Sequence, residues 1–61
     1  MILVTDAITK NGVFLAKEHI VAVFQILEGE QTGKTGINLI NGSIVCDDDV
    51  MTIVNYVRSN D

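Results

Sequence analysis

The chain has 61 residues, 48% of them apolar, with eight carboxylates against four Lys and Arg for a formal charge of −4. That length holds one domain (residues 1–61), and a domain so small buries only about 60% of the surface its unfolded chain exposes. The charge argues against nucleic acid as a partner, because polyanion affinity comes largely from Lys and Arg neutralising phosphates, and here Lys10, Lys17, Lys34 and Arg58 are scattered.

No stretch approaches the ~20 consecutive apolar residues that span a bilayer, so no membrane insertion is expected. The opening MILVTDAITK has no basic residue ahead of a short apolar run and no small-residue cleavage site, so no secretory signal is read there. A cytoplasmic location is expected, and the single thiol, Cys46, suits a reducing compartment.

In chain order, a first strand is expected over residues 2–5. Asn11-Gly12 between apolar runs signals a hairpin leading to a second strand over 13–16. Residues 6–10 read equally as a loop or as a bulged extension of the first strand. A third strand is expected over 19–27 (HIVAVFQIL), rich in β-branched and aromatic residues. Strict alternation would put Ile20, Ala22, Phe24 and Ile26 on one face and Val21, Val23 and Leu27 on the other.

A strand that is apolar on both faces, in so thin a domain, needs cover from a second copy or from the C-terminal helix. Energetics favour the second copy. Burial of about 5,700 Å², about 60% of it apolar, contributes about 85 kcal/mol at ~25 cal/mol/Å², against an ordering cost of about 90 kcal/mol. One cysteine forms no internal bridge, and one His beside one Cys falls short of a four-ligand structural zinc site. Self-association is therefore the expected staple, through Ile20, Val21, Val23, Phe24, Gln25 and Leu27.

Residues 28–34 (EGEQTGK) turn polar and glycine-bearing, a loop longer than the usual hairpin connection. Gly29, Gln31, Thr32, Gly33, Lys34 and Thr35 form a candidate ligand or partner loop. Strands over 35–40 and 43–46 flank Asn41-Gly42, which suits a type I′ turn. That turn would set Ile40 opposite Ser43, Leu39 opposite Ile44, Asn38 opposite Val45 and Ile37 opposite Cys46, with Ile37, Leu39, Ile44 and Cys46 inward. Val50, Val54 and Val57, with Met51 and Ile53, follow helical spacing and predict a helix over 48–58. Asp47-Asp48-Asp49 would cap and charge its N-terminus and Arg58 its last turn, while residues 59–61 are expected to fray. The expected fold is mainly β with one C-terminal α-helix: a five-stranded antiparallel meander curled into a small half-open SH3- or Sm-like barrel.

Several strings suggest chemistry and fail on spacing. Gly29 to Thr35 is one residue short of a phosphate-binding loop and leads into a strand rather than a helix. Three contiguous Asp do not match the alternating ligands of a calcium loop. His19 has no nucleophile or second carboxylate placed near it by the sequence, and Cys46 precedes three carboxylates that disfavour a reactive thiolate. Asn41-Gly42-Ser43 matches a glycosylation acceptor in letters only. No catalytic residue, metal or cofactor is assigned.

Met1, Ile2, Val4 and Thr5, then Asn11-Gly12, then Leu15, Glu18 and Ile20, and finally Ile37, Leu39 and Asn41-Gly42 before an acidic, valine-spaced helix make up a pattern covering most of the chain. It resembles the FlbD/SwrD family of small flagellar accessory proteins, with departures at residues 31–34 and near Cys46. The resemblance implies a cytoplasmic, non-enzymatic partner of flagellar function. The expectation is thus a self-associating protein-binding or accessory module. The alternative is an inhibitor or ligand sponge, of the kind phages and mobile elements encode, holding a small anionic nucleotide at oligomer interfaces. Its anion contacts would be the loop amides with Lys34 and Thr35.

Overall fold

The computed structural model describes residues 1–59; Asn60 and Asp61, assigned above to a fraying end, lie outside the described residues. The chain runs β1 (Ile2–Thr5), β2 (Gly12–Leu15), a 3₁₀ turn (Lys17–His19), β3 (Ile20–Gln25), β4 (Thr35–Leu39), β5 (Gly42–Cys46) and α1 (Val50–Arg58). All pairings are antiparallel, in a two-stranded sheet β1-β2 and a three-stranded sheet β3-β4-β5. The expected five strands and terminal helix are present. The barrel stays open, because among the described residues β3 has β4 as its only sheet neighbour.

The two sheets are stapled at one corner. Asp6 bridges Cys46, the Ala7 N–H donates to the Val45 carbonyl at 2.8 Å, and the Asp47 N–H donates to the Thr5 carbonyl at 2.9 Å. Alternation along β1 and β2 turns Val4 and Leu15 inward and Leu3 and Phe14 outward. Val4 and Leu15 meet Ile37, Cys46 and Ile53 in one buried cluster, so the hairpin, the larger sheet and the helix each supply part of a single small core. The folded surface is 4126 Å², which against an unfolded area of about 9,600 Å² means roughly 5,400 Å² buried.

Neither Asn-Gly pair makes the expected turn. In β4-β5, Leu39 faces Gly42 and Ile37 faces Ile44, so the tight turn centres on Ile40-Asn41, and Asn41 does not take the positive φ that a type I′ turn requires. The expected register is out by two residues in summed position. Because side chains alternate with period two, that error leaves the faces unchanged: Ile37 and Cys46 are buried and Leu39 and Ile44 half-buried. In the first hairpin Gly12 already pairs with Thr5, and residues 6–11 form the loop. There the Asp6 carboxylate accepts the Ile8 N–H at 2.7 Å and the Thr9 N–H at 3.0 Å, a side-chain mimic of a backbone turn. Lys10, at φ 66°, completes the reversal.

The helix begins two residues later than expected, at Val50, with Ile53 buried and Val50, Val54 and Val57 half-buried. Met51 instead points to solvent, 52% exposed. Asp49 occupies the N-cap position in extended conformation, but its side chain makes no capping bond. Ser59 is held rather than frayed: its N–H donates to the Tyr56 carbonyl, and its own carbonyl accepts from Lys17 Nζ.

Candidate functional site

The other two aspartates of the run, Asp47 and Asp48, take tasks of their own. Asp47 accepts Lys34 Nζ at 2.6 Å and Lys10 Nζ at 3.0 Å, tying the β3-β4 loop and the first hairpin to the end of β5. Asp48 Oδ1 accepts the Thr5 N–H at 2.8 Å, and its carbonyl accepts the buried Thr35 hydroxyl at 2.6 Å. Hydrogen bonds from Lys34, then Lys10, hold the Asp47 carboxyl below its ordinary 3.8. The backbone N–H groups of Thr9 and then Ile8 do the same for Asp6. Burial pushes the Cys46 thiol above its ordinary 9.0, and at 0% exposure it is a core side chain.

This arrangement consumes the candidate ligand loop. Lys34 is committed to Asp47. Thr35 belongs to β4 and is 1% exposed, which corrects its placement in the loop. The loop amides are also used internally: Thr32 N–H to the Gly29 carbonyl, Gly33 N–H to Ile26 and Lys34 N–H to Gln31. Thr32 Oγ1 donates to Gly29 as well. Gly29 and Gly33, at φ near +90°, let the chain make these reversals. Gln31 is half-buried. The set that would cradle an anion is turned onto itself.

The predicted interface strand behaves differently. A bulge between Ile20 and Ala22 interrupts the expected alternation, so Ile20 and Val23 both turn toward the core while Val21 stands 66% exposed. Ala22 and Phe24 share the opposite face. The Phe24 ring lies over Gly36, where an added Cβ would meet the ring at 2.5 Å, so Gly36 is buried and Phe24 itself 44% exposed. An aromatic covering a cross-strand glycine also helps fix register. Gln25 is exposed, and Leu27, just past the strand, is 77% exposed.

Helix α1 packs beside β3, and between them runs a groove of about 210 Å³ lined by Ile20, Val21, Ala22 and Val23 on the strand and Val54, Val57 and Arg58 on the helix. The helix therefore partly covers β3 without sealing it. Sequence reasoning missed Val54, Val57 and Arg58 as part of this surface; their helical spacing marked an inward face, and no local signal said that its margin would stay open. It also missed the exposed cross-strand pair Leu3 and Phe14. His19 closes the 3₁₀ turn, exposed, its carbonyl accepting the Ile40 N–H.

No family model matches this chain, and comparison with curated proteins and with solved structures gave no significant match. Among the described residues no helix is long and apolar enough to cross a membrane, and no three His, Cys, Asp or Glu side chains gather as a metal would require.

Proposed function

We propose that this chain is a small non-enzymatic accessory module of the cytoplasm that self-associates through β3 and offers its remaining surface to a protein partner. The carrying observation is the imbalance between hidden and open apolar side chains. Six hydrophobic residues form the buried core, whereas nine large ones are at least 44% exposed among the described residues. Single exposed apolar residues are ordinary. Val21, Phe24 and Leu27, however, follow one another along one strand and its continuation, beside an apolar groove, and such patches mark interaction sites.

The FlbD/SwrD-like residue pattern suggests a flagellar setting for the partner. The nucleotide-sponge alternative gains no support, since Lys34, Thr35 and the loop amides are already bonded within the chain. Light scattering across a micromolar concentration series tests the reading. A mass rising above 6.6 kDa with concentration is expected, and a mass fixed at the monomer value overturns it.

A further inference from the structure

We propose that the occupant of the open β3 edge is β3 of a second copy, paired antiparallel about a two-fold axis, with Arg58 of each copy facing Glu28 and Glu30 of the other. This rests on the self-association reading and specifies its geometry.

The backbone supplies the first argument. The Ile26 N–H bonds to the Lys34 carbonyl, and in an antiparallel ladder the direction of backbone groups alternates. Val23 and Gln25 therefore turn their N–H and C=O away from β4, toward a side where no strand lies among the described residues. An unpaired edge of this kind is a template for another strand. Natural edges are blunted with charge or proline, yet Ile20–Gln25 reads IVAVFQ and contains neither.

Charge supplies the second. The molecule is acidic overall, which opposes self-association in general, but Asp47, Asp48 and Asp49 lie beyond β5, at the opposite edge of the sheet from β3. Pairing β3 with itself brings no like charges of the strand together. Arg58 lines the groove beside Ile20–Val23, and Glu28 and Glu30 follow the strand's C-terminal end. Among the described residues none of these three side chains has an ion-pair partner. Antiparallel pairing sets the start of one strand beside the end of the other, so the unpaired cation of each copy meets the unpaired carboxylates of its mate. A two-fold axis makes each contact occur twice. A parallel arrangement would set like charge beside like.

Sedimentation equilibrium on the full chain tests this with charge swaps. Arg58→Glu alone and Glu28→Arg/Glu30→Arg together are each expected to weaken dimerisation on the order of tenfold, because a doubled attraction becomes a doubled repulsion. An equimolar mixture of the two variants should form a heterodimer at least as tight as the wild-type dimer, and the triple variant should dimerise again. Val21→Lys, at an exposed position, should abolish pairing with the circular dichroism unchanged. A wild-type dimer indifferent to both charge variants, or swaps that fail to rescue one another, overturns the geometry while leaving self-association standing. So does a Val21→Lys dimer of wild-type affinity. A wild-type chain that stays monomeric removes the underlying reading as well.

Discussion

The two edges of the three-stranded sheet are finished in opposite ways. Beyond β5 the edge is closed: two backbone hydrogen bonds join residues 45 and 47 to β1 and its loop, Asp48 receives the Thr5 N–H, and Asp47 receives two lysines. The strand β3 itself carries no charge, no strand bridges it among the described residues, and a groove with Arg58 at its margin runs beside it instead. Charged groups gather at the closed edge and are missing from β3 itself, the reverse of how an isolated domain protects an exposed strand. The proposed self-association through β3 rests on this difference between the edges.

The comparison can be broken most severely at the strand shared by both edges. Ile37 is fully buried, and Ile37→Ala should cost about 2–5 kcal/mol, enough to unfold a chain of this size. Val21→Ala on the open side should change monomer stability by no more than about 0.5 kcal/mol. Urea unfolding at low protein concentration measures both. A smaller effect is expected at the closed edge, where Asp48→Ala strips the acceptor from the Thr5 N–H and should cost about 1.5–3 kcal/mol, without altering self-association.

The smallest effect is in pH. The folded-state values of Asp47 and Asp6 lie below the ordinary 3.8. Their contribution is therefore present above that value and is lost as pH falls through the folded value. Asp47→Asn should flatten the acid limb of a stability profile in the region below pH 3.8, and added salt should do so in part. An unchanged acid limb would mean that the lysine clasp contributes nothing to holding the closed edge.

The architecture was legible because alternation and helical spacing survive errors of detail. Ile37 and Cys46 were read as inward from alternation, and both are buried even though the Asn41-Gly42 register was wrong. The turn misled because Asn-Gly signals local conformation, while the pairing partner of Gly42 is set by what the inward side chains of β4 and β5 pack against. The β3 bulge is likewise a tertiary event, and it moved Ile20 and Val23 onto one face without any mark in the sequence. Asp47 and Asp48 were read as capping and charging the helix N-terminus because their lysine, threonine and backbone partners lie from 13 to 43 positions away. No local pattern encodes such distances. The candidate strand was visible as an apolar run; the groove margin formed by Val54, Val57 and Arg58 needed the packing of α1 on β3.

Amide hydrogen exchange, resolved by residue and followed against protein concentration, probes the open edge most directly. Protection of the Val23 and Gln25 amides should rise with concentration while Leu3 and Phe14, exposed on the other hairpin, stay unchanged. Amides of Val23 and Gln25 that exchange at one rate at every concentration, or protection that rises on the β1-β2 face instead, would contradict an edge completed by a second copy.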